Sequence, residues 1–313
     1  MLEVLGDASA DEMAIAVEAA FAPDAPIHLC HPFGDVTGGA GFVAAALGPL
    51  WAAIPDVERR VDISIRGRDG QGQDWLGQAG HYAGRFAAPF LDVPPTGRMA
   101  YLRFHEFFRM AGDRAVELQM IWDLPDLMIQ AGVWPLGPAL GRSGLVPGPI
   151  TKDGTRQTGD GAHALKVVGD MIDRLHLSPQ GEAAMDLPAA WHPRCSWYGP
   201  GGIGTARGIR GFRDHHQIPF LDAMPDREAL WENGHVFAQG DYVGFTAWPG
   251  MTMTLSGGGW LGLPPTDARL TMRSLDFWRV EGDLIRENWV TVDLLHVYDQ
   301  LGLDVLARMR QLA

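Results

Sequence analysis

The 313-residue chain is poor in cysteine, in positive charge and in long apolar runs. With only Cys30 and Cys195 it has no disulfide framework to build, which fits a reducing cytoplasm. Each thiol reads first as a small buried hydrophobe. Both stand near a His-Pro pair, His31-Pro32 and His192-Pro193, which suggests equivalent places in two halves. A net charge of −13 argues against nucleic acid and against an anionic membrane, since both need clustered Lys and Arg. No stretch of about 18 apolar residues occurs, so no membrane-spanning helix is expected. The start, Met1-Leu2-Glu3, lacks the basic and apolar segments of a signal peptide. What remains, 46% hydrophobic and 20% charged residues, is ordinary for a globular chain of two domains.

What the chain does have is a repeat. Pro94-Pro95-Thr96, Arg103, Phe107, Arg109, Gly112-Asp113, Glu117, Asp123-Leu124, Gln130 and Gly132 return 170 residues later as Pro264-Pro265-Thr266, Arg273, Phe277, Arg279, Gly282-Asp283, Glu287, Asp293-Leu294, Gln300 and Gly302. Gly41-Phe42 and Pro55-Asp56 match Gly211-Phe212 and Pro225-Asp226 at the same offset. A constant offset of this size marks a duplicated domain, because solenoid repeats are much shorter. The organisation expected is a first domain over 1–135, a Gly/Pro-rich linker over 136–160 draped on the surface, and a second domain over 161–313.

Within each copy, helices precede strands. Helical spacing is read over 7–21, 41–54, 163–176 and 211–224, the second and last stopping before Pro55 and Pro225. Residues 61–68, 73–84, 98–110 and 114–124 alternate apolar and polar and read as an antiparallel meander. This is an α+β layout. In the last two strands the odd positions are mostly polar (Tyr101, Arg103, His105, Arg109, Glu117, Gln119, Asp123), whereas the even ones are apolar. The odd face is either solvated or lines a cavity, with the even face packed on the other copy. The second copy places Leu275, Phe277 and Trp289 on its odd face beside Asp293, which favours the cavity.

These motifs, with Gly80-His81-Tyr82-Ala83-Gly84, His105 to Arg109 and Gln130-Ala131-Gly132, resemble the SnoaL-like polyketide cyclases of the NTF2-like superfamily. The resemblance implies two tandem cone-shaped α+β barrels, each a curved sheet wrapped on helices, paired as an internal pseudo-dimer. It also implies an aldol-type cyclisation or isomerisation of an apolar carbonyl compound, without metal or organic cofactor. The matching acid/base residues are Asp123 and Asp293, with His105 assisting. Tyr101, Gln119, His81, Arg103, Trp289, Phe277 and Leu275 are then expected to contact a small apolar or aromatic ligand. Hairpin pairing near 111–113 would set His105 opposite Gln119 and Tyr101 near Asp123. A carboxylate in an apolar pocket has its pKa raised, which suits it as a base near neutrality.

The second copy has Met251 and Leu275 where His81 and His105 stand in the first, and holds seven of the eleven Trp residues. Asp293 is expected in the drier pocket, titrating above Asp123, unless it caps the helix that follows it. Glu117 and Glu287 are read as partners of Arg103 and Arg273 or as acids in their own right. The adjacent His215-His216 point about 100° apart on a helix and make a poor metal pair. Gly199-Pro200-Gly201-Gly202-Ile203-Gly204 lacks the Lys-Ser/Thr of a phosphate loop and reads as a surface insertion, a lid over the second pocket. A dehydratase or hydrolase, or a non-catalytic ligand-binding protein, stays open beside the cyclase, as does further homo-oligomerisation.

Overall fold

The computed structural model describes residues 9–176 and 186–311. Positions 7 and 8, where helical spacing is read to begin, lie outside them. Helix α1 (Ala10–Ala20) starts where Ser9 and Glu12 each accept the other's backbone N–H, a reciprocal cap at 3.3 and 2.8 Å. Helices α2 (Gly38–Phe42) and α3 (Gly48–Ala53) are joined by a π turn over Val43–Leu47. The second copy repeats this with α7 (Gly208–Phe212), a π turn over Arg213–Gln217 and α8 (Ile218–Ala223). Each turn precedes a proline, Pro49 or Pro219, whose ring would clash with the carbonyl four residues back in an unbroken helix. The wider turn relieves this, with Gly48 and Ile218 bonding back five residues to Val43 and Arg213.

The first sheet contains β1 (Pro26–Leu29), β2 (Asp35–Thr37), β3 (Glu58–Arg68), β4 (Asp74–Arg85), β5 (Met99–Ala111) and β6 (Arg114–Trp122), in the order β2-β1-β6-β5-β4-β3. The second contains β7 (Trp191–Tyr198), β8 (Thr205–Arg207), β9 (Glu228–Ala229), β10 (Gly234–Gln239), β11 (Tyr242–Thr254), β12 (Arg269–Glu281) and β13 (Leu284–Val292), in the order β10-β11-β12-β13-β7-β8, with β9 also on β11. The meander is as expected, and β1 and β7 add a parallel strand beside β6 and β13. Both sheets are curved, open and wrapped on their helices, the two α+β copies expected. Helices α4 (Leu124–Ala131) and α9 (Leu294–Gln300) follow the last strands. Helices α5 (Ala162–His176) and α6 (Leu187–Ala190) open the second copy, and α10 (Val305–Arg310) ends the described chain. No helix among the described residues is long and apolar enough to cross a membrane.

The two faces of the strands have exchanged their expected partners. A bulge between Arg109 and Met110 leaves Val116 unpaired and moves the register by one residue beyond the Gly112-Asp113 turn, so Phe107 faces Gln119 and His105 faces Ile121. The even face of Leu102, Phe104, Phe108, Leu118, Met120 and Trp122 is buried in the first copy's own core. There Trp122 lies 6.5 Å from Phe42 of α2 and Phe108 lies 6.0 Å from Phe21. The odd face meets the second copy. Phe107 and Phe277 stack across the junction at 4.8 Å and 27°. Such stacking needs glycines opposite: a Cβ on Gly77 would stand 3.0 Å from Phe277, and one on Gly244 would stand 3.1 Å from Phe107. Polar odd residues survive here because they bond across the junction. His105 Nδ1 donates to the Leu275 carbonyl at 2.8 Å, Arg103 to Val290 O at 2.6 Å, and Thr246 to Gln119 at 2.5 Å.

The segment over 136–160 is mostly exposed and is tied to both copies by hydrogen bonds. Its Pro147 carbonyl accepts from the Trp289 indole at 2.9 Å, and its Gly154 carbonyl accepts from Ser64 N at 2.9 Å. The glycine-rich 199–204 is no insertion: the pairs Tyr198–Thr205 and His28–Asp35 that bracket it and its counterpart 29–34 are themselves 170 residues apart, and it is buried. The two thiols are not equivalent either. The offset of 170 takes Cys30 to Pro200 and Cys195 to Ala25; both thiols are buried and pushed upward by desolvation.

Candidate functional site

The duplicated fold has one filled interior and one open one, and five substitutions on the inner face account for it. Arg59, Tyr82, Phe104, Glu106 and Trp122 fill the first copy. Strand pairing sets Ala229, Met251, Ser274, Asp276 and Val292 in their places in the second. Every change removes volume. The result is a cavity of about 550 Å³ between the sheet and α5, α7 and α8. Its walls include Trp191, Trp197, Phe212, Phe220, Trp260 and Trp278. Pockets of this size and lining hold small apolar molecules with a few polar contacts.

Asp276 lies on β12, facing this cavity's interior, and its carboxyl is pushed up to about 7 by burial. Ser274 and Asn288 hydrogen-bond to it and only partly offset that rise. Its counterpart Glu106 sits in an interior that supplies a cation: Arg59 Nη2 lies 2.6 Å from the Glu106 carboxylate, and Tyr82 donates to it at 2.9 Å. Ala229, in Arg59's place, leaves Asp276 without that countercharge. His216, brought inward by the π turn, stacks on Trp197 at 3.9 Å, and burial holds its pKa down at about 3. It is therefore neutral at physiological pH. The indole nitrogens of Trp260 and Trp278 and Nδ1 of His216 are buried without a hydrogen-bond partner.

The residues expected from the sequence to form the site lie elsewhere. Asp123 and Asp293 are helix N-caps that latch the copies together. Asp123 accepts from Asp126 N at 3.2 Å and from Gly201 N at 3.0 Å, and Arg103 lies 3.2 Å away. Asp293 accepts from His296 N at 3.2 Å and from His31 N at 3.0 Å, with Arg273 at 3.3 Å. Gly201 and His31 are themselves 170 residues apart, so the two latches are related by the repeat. Asp293 is thus the cap, yet its carboxyl is raised: burial outweighs the lowering by His31 N–H and Arg273. His81, Tyr101, Arg103 and Asp123 do gather, but around a crevice of about 10 Å³ filled by 142–146 and 199–201, with no room for a substrate. Asp126, one turn on, is raised to about 7 in that crevice by burial and by Asp123.

His105 is fully buried at the junction, and desolvation and Arg103 depress its pKa. Gln119 borders an open polar crevice with His28, His235 and Trp248. Leu275 and Phe277 are buried on the odd face of β12, Phe277 against Phe107, and Trp289 lies beside Tyr198 at 5.4 Å. Met251 takes the place of Tyr82 and not that of His81, because a bulge at Trp248–Gly250 shifts the register of β11. Glu117 and Glu287 pair with Arg109 and Arg279, at 2.8 and 2.6 Å, and not with Arg103 and Arg273. No cluster of metal-ligating side chains occurs among the described residues. The signal that would have found Asp276 and its cavity lay in the even positions, where the copies differ in size.

The chain is a tandem pair of α+β copies with curved sheets, one enclosing an aromatic-walled cavity around a buried carboxyl. The chain belongs to the SnoaL-like polyketide cyclase family, whose model matches residues 5–131 and 179–301. Similar solved structures include a protein assigned as a SnoaL-like polyketide cyclase from Jannaschia sp. CCS1. It is 23% identical, over 38% of this chain and 77% of that one, with a TM-score of 0.32. Another is IdmH from Streptomyces antibioticus, assigned as a polyketide cyclase: 24% identical over 41% and 93%, TM-score 0.34. A third, from Acidithiobacillus ferrooxidans, is 18% identical over 46% and 98%, TM-score 0.35. No curated protein matches the chain.

Proposed function

We propose that the second copy is the reactive centre and that Asp276 carries the proton in a cyclisation or isomerisation of a carbonyl compound bound in the aromatic cavity. One observation carries this reading: a carboxyl poised near 7 in an apolar-walled cavity, where the other copy neutralises its counterpart with Arg59. At that pKa the group is populated both as base and as acid at neutral pH, as removal of an α-proton and its return require. Ser274 and Asn288 favour its charged form and so temper the rise. The unpartnered indole N–H groups of Trp260 and Trp278 supply donors for an oxygen that gains negative charge in the transition state. The first copy serves as the fixed support against which β12 and β13 are held. The two buried thiols fit a cytoplasmic setting.

The reading is tested without knowledge of the natural substrate by following α-proton exchange of 2-tetralone in D₂O by NMR. The protein should accelerate exchange with a limb near pH 7. Asp276→Asn should lower the rate by roughly 10² to 10⁴, the usual contribution of a positioned acid/base. Acceleration that survives in Asp276→Asn would move the chemistry to another group.

A further inference from the structure

The same cavity holds a cation with no acidic partner, which bears on what it binds. Arg227 lines the cavity just before β9, half-buried. Its guanidinium makes one hydrogen bond, to the Met224 carbonyl at 3.4 Å, and no carboxylate among the described residues lies within ion-pair distance. The acids that flank it in sequence are committed elsewhere: Asp226 and Glu228 both pair with Arg269, at 2.7 and 3.5 Å. Asp276 does not serve as its counterion, since Arg227 has no place among the groups that set the Asp276 pKa. Desolvation without a countercharge lowers the pKa of Arg227.

Of the two copies, the one with the cavity carries this charge. At the offset of 170, Arg227 corresponds to Val57, an apolar residue 7% exposed in the first copy. The copy with Ala229 in the place of Arg59 has Arg227 at its rim. A guanidinium beside an apolar cavity is a fork for a carboxylate, and the pairing strengthens as water is excluded.

We infer that the ligand of the second copy is an organic acid, a flat apolar body bearing a carboxylate that Arg227 receives while the body lies against the Trp-lined wall. This rests on the cavity reading given under Proposed function. It places the anionic end of the molecule at the β9 rim and the reacting carbon at Asp276, so Arg227 determines specificity and orientation and does not take part in proton transfer.

Calorimetric titration of the whole protein at pH 8 with 2-naphthoate, methyl 2-naphthoate and 2-naphthamide tests it. The acid should bind at least tenfold more tightly than the ester or the amide. Arg227→Gln should remove that preference while leaving the ester's affinity unchanged, and Arg227→Lys should keep part of it. Equal affinity for the three in the wild type, or a preference that persists in Arg227→Gln, overturns the anion assignment and leaves the cavity standing. Failure of all three to bind overturns the cavity reading together with it.

Discussion

At the scale of single residues, what separates the two copies is how each handles a buried carboxyl. Glu106 is tolerated because Arg59, itself 1% exposed, pairs with it and Tyr82 and Trp122 donate to it at 2.9 and 3.4 Å. Breaking such a pair leaves an uncompensated charge, so Arg59→Ala should destabilise the protein by about 3–5 kcal/mol in chemical denaturation. Asp276 has no such pair. Ala229→Arg, which installs the first copy's solution, should bring the Asp276 carboxyl down from about 7 toward the ordinary range, read by carboxyl NMR titration. An unmoved titration would mean that burial alone, without regard to the missing cation, sets the value. Stability carries the same information. A carboxyl whose pKa is raised on folding contributes stability that is fully present below its unfolded value of 3.8 and is lost as pH rises to about 7. Asp276→Asn removes that loss. Its stability relative to the wild type should therefore climb between about pH 4 and pH 7 and level off above; a flat difference would contradict the raised pKa.

At the scale of elements, the ends of β6 and β13 show why an acid at a conserved-looking place in both copies need not be an acid in the chemistry. Each strand ends on an Asp that caps the next helix and accepts a backbone N–H from the other copy, Gly201 for Asp123 and His31 for Asp293. Asp293→Ala removes a cap, worth about 1 kcal/mol, and strands the buried groups that faced it, at about 1–3 kcal/mol. A total loss of about 2–4 kcal/mol is expected in urea denaturation, with Asn recovering part of it. Lost turnover at unchanged stability would restore Asp293 as a base. The elements themselves were legible in the sequence: proline set the helix ends at Ile54 and Met224, and alternation marked the meander. The faces were not. Alternation separates odd from even positions, but which set turns inward depends on where the partner sheet lies. The hairpin turns between Gly112 and Asp113, and the bulge between Arg109 and Met110 shifts every cross-strand pair beyond it by one residue more. Nothing in the order of Met110 to Val116 announces that bulge, so His105 and Gln119 could be set opposite each other on paper while Ile121 and Phe107 are their true partners.

At the scale of the molecule, the repeat was plain in the sequence because identical residues mark it, and the same residues concealed the site. Arg103, Phe107, Glu117 and Asp123 recur in the second copy because both copies use them at the junction or at its edge. The cavity arises where Arg59, Tyr82, Phe104, Glu106 and Trp122 do not recur, and a search for shared motifs passes over them. The junction also determines how the chain should unfold. Phe107 and Phe277 are fully buried, each seated where the opposite copy has a glycine, and Arg66 N donates to Gln239 Oε1 across the same boundary at 2.8 Å. Neither odd face can be left in water without exposing these rings, so the copies should open together. Phe277→Ala removes about 3–5 kcal/mol of packing, and its effect should not stay within the second copy. In hydrogen exchange resolved by peptide, amides of β4 and β5 should lose as much protection as those of β11 and β12, since their exchange requires the shared opening. Loss confined to β11 and β12 would mean that the copies unfold separately and that the junction is a contact between independent domains.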